Sequence, residues 1–191
     1  MRIALVLILA LGACTSGPDK ADPVYGAALI WPTSGTVFQG FYGTEATSSI
    51  SPSYYYDEHN KLKSFAGLSH FHRGLDIDNS EGTSVVAVAS GQAKVYPWDG
   101  KSKDFGNCVV IDHGNDLYSV YGHLKEIKVA AGYVSQGQII GLMGTTGNST
   151  GPHLHLSIRH QSDPSSIALE HFIPGQKGDR VVKGQPIPFA Y

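Results

Sequence analysis

The sequence contains little cysteine, little net charge and no long hydrophobic run. Its 191 residues include two cysteines, Cys14 and Cys108, which excludes a framework of several disulfides and a four-thiolate structural zinc site. The formal net charge is −2, so there is no basic excess to favour a nucleic-acid partner. The longest apolar run, from Ile3 to Leu11, is too short to span a membrane.

The N-terminal residues have the pattern of an export signal. Arg2 precedes the short apolar run, which predicts a secretory signal over residues 1–13. The run ends in Leu11-Gly12-Ala13-Cys14, which resembles the lipobox of bacterial lipoproteins. We therefore expect Cys14 to carry a lipid that anchors the protein to a membrane of the bacterial envelope, with ordinary signal cleavage as the alternative. Thr15 is not the aspartate associated with inner-membrane retention, which favours the outer membrane, facing the periplasm, in a Gram-negative cell.

The second cysteine has the surroundings of a core residue. Cys108 begins the apolar run Cys108-Val109-Val110-Ile111, which predicts a small buried side chain rather than a reactive thiol. A disulfide between Cys14 and Cys108 is the alternative that the sequence leaves open.

Turn-forming residues are frequent, with 23 glycines and 10 prolines, and the short apolar runs between them lack a helical period. Strands at intervals of roughly eight to twelve residues favour a mainly β domain, an antiparallel sandwich or open barrel. Two consecutive strands are predicted around a tight turn at Ser90-Gly91. A hairpin is predicted between residues 108–112 and 117–121.

One domain is predicted over residues 31–173, preceded by a flexible tether over residues 14–30. Within it, the polar insertion 44–64 is predicted as a surface loop, either facing a substrate or simply solvated. Residues 174–191 form a Gly-, Lys- and Pro-containing tail that we expect to pack loosely.

Two histidines follow a Gly- and Pro-rich turn. If residues after Pro152 form a strand, the period of two sends His153, His155 and Ser157 to one face and apolar residues to the other. A neutral imidazole is a common zinc ligand, although two histidines on a strand are weak evidence alone.

An earlier segment supplies partners for this pair. His72 and Asp76 are four residues apart, so on an extended strand they share a face, and Gly74 between them leaves room for a ligand. His70 and Asp78 have the same parity, so from spacing alone either could replace its neighbour.

The combined set indicates a catalytic rather than structural metal site. Two imidazoles and one carboxylate form a three-ligand zinc set that leaves a position open for water. Zinc lowers the pKa of such a water from about 16 to about 7, which suits hydrolysis at neutral pH. The chain lacks a His-Glu-x-x-His helix, so acid and base duties would fall on other residues, and His123 and His153 are available.

Three motifs in order resemble those of the lysostaphin/LytM-type zinc metallopeptidases. They are HFHRGLDID from residue 70, YGHL from residue 121 and GNSTGPHLH from residue 147, and the resemblance covers roughly residues 31–173. It implies a duplicated-hybrid-motif β fold and hydrolysis of peptide bonds in peptidoglycan. By motif position it implies one zinc bound by His72, Asp76 and His155, with His123 and His153 as the catalytic pair.

The sequence also departs from the family pattern. A Phe-Gly-x-Arg segment usually precedes the first ligand motif, whereas this chain has Phe41-Tyr42-Gly43-Thr44, without an arginine. A family tyrosine that assists the transition state would lie among Tyr54, Tyr55 and Tyr56, although the preferred interpretation of these three residues is that they are surface aromatics. The other histidines, except for His70, are expected to be solvated or capping residues: His59, His113, His160 and His171.

Two other functions fit the same fold. A non-catalytic wall-binding or regulatory module could activate another wall hydrolase, although family members of that kind typically lose metal ligands and none is lost here. A peptidase acting on a secreted protein instead of peptidoglycan is the third possibility.

Overall fold

The computed structural model describes residues 29–39, 54–56, 62–64, 72, 74–101, 104–162 and 178–187. In these ranges the chain forms strands and no helix, and hence no helix long and apolar enough to cross a membrane. The strands are Gly35–Gln39 (β1), Tyr54–Tyr56 (β2), Leu62–Ser64 (β3), Leu75–Asp78 (β4), Ser84–Val86 (β5), Gly91–Tyr96 (β6), Asn107–Gly114 (β7), Leu117–Ile127 (β8), Gly132–Val134 (β9), Ile139–Met143 (β10), His153–His160 (β11) and Arg180–Val181 (β12).

Ten of these strands form one antiparallel sheet. Neighbouring strands follow the order β12-β1-β4-β11-β8-β7-β6-β9, and β10 pairs with both β5 and β8. The remaining two, β2 and β3, form a small separate sheet within the insertion that was predicted as a loop. The predicted fold class, mainly β and antiparallel, is confirmed.

Strand β11 has the two faces that its sequence predicts. Leu154, Leu156 and Ile158 are fully buried in the main core, where each stabilises the fold by about 1.5–3 kcal/mol. The alternate residues face the other side of the sheet. Because β11 lies between β4 and β8, side chains from all three strands can meet on that second face.

A smaller apolar cluster covers part of the second face. It consists of Cys108, Val110, Tyr118 and Val120, with Tyr96 and Phe105 packed against it. Cys108 is 1% exposed, which confirms its prediction as a small buried residue. Its possible partner Cys14 lies outside the described residues.

The strand pair predicted around Ser90-Gly91 is wrong in its pairing. The strands β5 and β6 exist, but β5 pairs with β10, whereas β6 pairs with β7 and β9. The intervening segment does not form a tight turn, because Ala87 and Val88 are buried in the main core. Tertiary packing has overridden the local turn signal.

The second predicted hairpin is present. β7 and β8 pair from Gly114 opposite Leu117 onward, across a turn in which Asn115 and Asp116 have φ angles of 50° and 66°. Short polar residues adopt this left-handed conformation at low cost. β8 continues to Ile127, so that His123 lies within the strand and not after it.

Residues 178–187 are packed onto the sheet, which differs from the loose tail expected there. β12 pairs with β1, and Ile187 donates its backbone N–H to the Leu29 carbonyl at 2.7 Å. Val181 and Ile187 are both buried in the main core. Burial of these two apolar side chains holds the segment on the sheet, although most of its residues are polar.

Candidate metal centre

Three donor side chains converge where β4 and β11 run side by side. Asp76 on β4 is the direct antiparallel neighbour of His155 on β11, so their side chains share the second face of the sheet. His72 precedes β4 and reaches the same point. His72 Nε2 lies 3.1 Å from both Asp76 Oδ1 and His155 Nδ1, and the latter two atoms are 3.0 Å apart.

The triangle of donor atoms has the size that zinc requires. Zinc bonds of about 2.0–2.1 Å in tetrahedral geometry separate neighbouring ligand atoms by about 3.3 Å. The three observed separations are slightly shorter than this, so a small outward movement would complete one face of the tetrahedron. In the described part of the chain no fourth His, Cys, Asp or Glu joins the group. The residues therefore fit zinc, with room for a non-protein ligand.

The spacing of the sequence left Asp78 as an alternative to Asp76 and His70 as an alternative to His72. Asp78 is exposed and is not part of the donor group. His70 lies outside the described residues.

Electrostatics favour the protonation states that bind a cation. Burial alone raises the pKa of Asp76, but the charge of His72 and the close polar contacts with both imidazoles hold that pKa well below its usual range. Burial lowers the pKa of His155 to about 4 and outweighs the opposing effect of Asp76. At neutral pH the site holds a carboxylate and a neutral His155 imidazole, as metal binding requires.

His123 and His153 form a second pair beside the donors. Their ring centroids are 4.7 Å apart, and the His123 ring is 6.0 Å from that of His155. His153 Nε2 lies 3.8 Å from Asp76 Oδ2, the carboxylate oxygen outside the donor triangle. All five sequence-predicted site histidines and carboxylates are thus gathered in one place.

An irregularity in β8 turns His123 toward this site. Tyr121 and Leu124 both lie in the main core although they are three residues apart, which regular alternation forbids. The register between β7 and β8 shifts between Asn107 and Val109, which is a β-bulge, and His123 has a left-handed φ of 61°. The bulge takes His123 away from the core face that Tyr121 occupies.

Backbone carbonyls fix the tautomers of both histidines. His123 Nδ1 donates to the Thr146 carbonyl and His153 Nδ1 donates to the Gly151 carbonyl, each at 2.8 Å. A carbonyl can only accept, so in each neutral ring Nε2 carries the lone pair. Burial, followed by the nearby His153 and His155, lowers the pKa of His123 to about 3. Sequence reasoning missed both carbonyls, since a carbonyl contact leaves no residue-type signal.

Gly74 has a different role from the one expected. A Cβ atom at this position would lie 2.6–2.7 Å from two atoms of the His155 ring and 2.7 Å from the Leu156 carbonyl oxygen. The glycine therefore leaves room for the His155 imidazole itself, not for an incoming ligand.

The remaining histidines lie away from the donors. His113 was expected to be solvated or capping, but it is half-buried and bonds to the Ser90 carbonyl and the Ser119 hydroxyl. His160 Nδ1 lies 3.5 Å from Asp116 Oδ2 at the end of β11. His59 and His171, and the side chains of Tyr54, Tyr55 and Tyr56, lie outside the described residues.

Comparison with known proteins identifies the family. A family profile described as peptidase family M23 matches residues 70–167, which are 98 of the 191 residues. The chain belongs to peptidase family M23. The resemblance read from the three motifs is thereby confirmed.

Curated M23 relatives include both enzymes and an activator. The chain is 42% identical over 107 residues to peptidoglycan DD-endopeptidase ShyA of Vibrio cholerae, covering 54% of this chain and 23% of the relative. It is 30% identical over 142 residues to murein hydrolase activator NlpD of Salmonella typhimurium, covering 74% and 37%. The chain thus spans less than two fifths of the length of these relatives.

A solved M23-like structure supports the fold. A zinc-containing peptidase from Vibrio cholerae superposes with a TM-score of 0.55 at 26% identity, covering 75% of this chain and 40% of that chain. The superposition covers a larger share of this chain than the family profile does.

Proposed function

We propose that this protein is a zinc metalloendopeptidase that hydrolyses peptide bonds in peptidoglycan stem peptides or cross-links. The observation that carries the proposal is the complete donor triangle with two further histidines beside it. A chemical precedent among the reported relatives is the peptidoglycan DD-endopeptidase, whose name describes the same substrate class. The proposal names a peptide bond of peptidoglycan and no particular bond among them.

In this proposal His72, Asp76 and His155 hold one zinc ion, through Nε2, Oδ1 and Nδ1 respectively. When bound, zinc acts as a Lewis acid that polarises the scissile carbonyl and lowers the pKa of a water molecule. Asp76 contributes the one negative charge of the donor set. The chain therefore supplies the mixed nitrogen and oxygen ligands that suit a catalytic zinc.

His123 and His153 carry the proton transfers in this proposal. Each neutral ring presents the lone pair of Nε2, because Nδ1 donates to a backbone carbonyl. One of the two rings accepts the proton of the attacking water and returns it to the leaving amine. The other, facing the same space, would stabilise the charge that develops on the carbonyl oxygen together with the zinc, and it does so only in the protonated form of the ring, in which Nε2–H donates a hydrogen bond.

The test uses purified protein that has been loaded with zinc. We expect about one zinc per chain and release of peptide fragments from cell-wall sacculi and from cross-linked muropeptides. His155→Ala is the matched control, which should lose both. Zinc-loaded protein that leaves both substrates intact would contradict the proposal, and mass spectrometry of any protein products would show whether a secreted protein is the substrate instead.

The murein hydrolase activator among the relatives supports a second candidate, a non-catalytic activator of another wall hydrolase. The complete donor triangle argues against it, because an activator has no need of metal ligands. The two functions differ in one measurable respect: a His155→Ala variant keeps the full biological effect if the protein is an activator and loses it if the protein is an enzyme.

We further propose that residues 1–13 direct export and that Cys14 anchors the protein by lipid in the cell envelope, with residues 31–173 as the catalytic domain, onto which Leu29 and residues 178–187 pack. The lipobox-like sequence supports the anchor. Mass spectrometry of the mature N-terminus and the membrane fractionation of a Cys14→Ser variant test it. A soluble mature protein that begins at another residue would contradict it.

A further inference from the structure

The second face of β11 carries a continuous row of polar side chains. His153, His155, Ser157 and Arg159 occupy alternate positions of the strand, so they all project from the same face. The last two lie beyond the metal donors and away from the catalytic pair. Ser157 is fully buried and Arg159 is 1% exposed, so both polar groups are kept from solvent.

These side chains are linked by hydrogen bonds. His155 Nε2 lies 3.1 Å from Ser157 Oγ, and Arg159 Nη2 donates to the same Oγ at 3.2 Å. Arg159 also forms a side-chain hydrogen bond with Tyr118, its direct neighbour on β8. The hydrogen-bonded row therefore begins at His155, one of the three donors, and ends at the guanidinium of Arg159, which Tyr118 of β8 holds in place.

The chemistry of imidazole makes the Ser157 contact important. His155 points Nδ1 at the other two donors, so Nδ1 must carry a lone pair for the ring to bind a cation. The ring proton must then be on Nε2, where it needs an acceptor. Because His155 is only 6% exposed, water is a poor substitute for a protein acceptor at that atom.

We propose that Ser157 is a positioning residue for the metal centre, accepting the Nε2 proton of His155 and so fixing the tautomer and ring orientation in which Nδ1 faces the metal. Arg159 holds the Ser157 hydroxyl in place from the other side. The inference rests on the proposed zinc site, but it concerns residues outside the donor and catalytic sets. Loss of such a contact to a metal-bound histidine typically reduces metal affinity 10- to 100-fold.

The test compares zinc dissociation constants, measured by competition with a chelator, in the full chain. Ser157→Ala should bind zinc about 10- to 100-fold more weakly, and Ser157→Thr, which keeps the hydroxyl, should bind within a few-fold of wild type. Ser119→Ala is the matched control. Ser119 is equally buried, but its hydroxyl bonds to His113 and Tyr121 and not to the metal donors.

A spectroscopic measurement separates positioning from general destabilisation. In ¹H–¹⁵N spectra of the zinc form, the His155 Nε2–H should give a slowly exchanging signal in the wild type and in Ser119→Ala. In Ser157→Ala that signal should exchange rapidly or disappear, even in a variant that is fully folded.

The outcomes distinguish this inference from the proposed function. If Ser157→Ala keeps wild-type zinc affinity and a slowly exchanging Nε2–H, the positioning role is overturned while zinc binding stands. If Ser119→Ala weakens zinc binding as much as Ser157→Ala does, the effect is one of stability and the inference also fails. If the wild type binds no zinc, the proposed function itself is wrong.

Discussion

At the residue scale, the His-Leu-His segment shows how two identical side chains acquire different chemistry. His155 directs Nδ1 at Asp76 and His72, whereas His153 uses Nδ1 to donate to a backbone carbonyl and leaves Nε2 near the outer oxygen of Asp76. The difference is set by the groups around each ring and not by residue type. It argues for a division into one metal ligand and one proton carrier.

This division predicts different losses in two variants. His155→Ala should lose zinc and activity together, since it removes one of three donors. His153→Ala should keep most of its zinc but lose about 10²- to 10⁴-fold in kcat, the usual contribution of a general acid or base. Zinc content and the rate of muropeptide cleavage are the measurements.

His160→Ala, at the other end of the same strand, serves as the control and should retain both zinc and activity. A His153→Ala protein that loses its zinc would show that this residue belongs to the metal ligands, which the 3.8 Å separation from Asp76 argues against.

At the element scale, the bulge of β8 is held by side chains from outside that strand. The Thr146 hydroxyl donates to the Leu124 carbonyl at 2.8 Å and accepts the Asn107 backbone N–H at 3.0 Å. The Asn107 side chain donates to the Leu124 carbonyl at 3.0 Å. These contacts hold the strand in the irregular geometry that orients His123.

The variant Thr146→Val keeps the shape of the side chain and removes both hydroxyl hydrogen bonds. We expect a loss of about 1–3 kcal/mol in the free energy of unfolding, because the partners are partly buried. Activity should fall more than zinc affinity does, since the bulge positions His123 and not the metal donors. Urea unfolding, zinc titration and kcat measure the three effects.

Thr145→Val is the neighbouring control for the effect on stability, because the Thr145 side chain is exposed and, among the described residues, its hydroxyl bonds to Ser149 and not to the bulge. Equal effects of the two substitutions would argue that the bulge is held by other contacts.

Element-level sequence reasoning succeeded where the signal is local. β11 was predictable because its alternation of apolar and polar residues is complete within one strand. The β5 and β6 pairing was not predictable, because it depends on Ala87 and Val88 being drawn into a core made by distant strands. The orientation of His123 likewise depends on the register between β7 and β8, which the residues of β8 alone do not encode.

At the scale of the whole molecule, a network of hydrogen bonds joins His113 on β7 to Tyr121 in the main core. His113 Nδ1 donates to the Ser90 carbonyl at 2.9 Å, and Nε2 bonds to Ser119 Oγ at 2.8 Å. Ser119 in turn bonds to the hydroxyl of Tyr121, which accepts the Val88 backbone N–H at 2.9 Å. A neutral His113 satisfies every group in this chain of hydrogen bonds.

The network predicts a pH-dependent contribution to stability. Burial lowers the pKa of His113 below 6.5 and outweighs the opposing effects of the Ser90 carbonyl and of Asp112. Below about pH 6.5 the unfolded chain therefore gains the proton before the folded chain does, so this stabilisation is complete above that pH and is lost as the pH falls.

We expect His113→Gln to be less stable than the wild type at pH 8 by about 1–3 kcal/mol, because it breaks the network. The difference should shrink at pH 5. Urea unfolding at both pH values measures this difference in stability. Any pH dependence that comes from the metal site is the same in both proteins, so it does not contribute to the difference. A difference that does not change with pH would contradict the role of His113.

The whole site illustrates what sequence does and does not determine. Residue types and spacing pointed to the segments that hold His72, Asp76, His123, His153 and His155, but they left His70 and Asp78 as alternatives, and it was the family resemblance that chose between them. Residues that act through backbone carbonyls or through a single hydroxyl, such as Gly151 and Ser157, carry no comparable signal. The burial that lowers the pKa of His155 also exists only in the folded protein.

The metal donors are neighbours in space but distant along the chain. His155 is 79 residues from Asp76 and 83 from His72, so the three meet only after β11 has paired with β4. An unfolded chain therefore holds no preformed site for the ion. On the proposed function, hydrolysis would begin only once β11 has paired with β4.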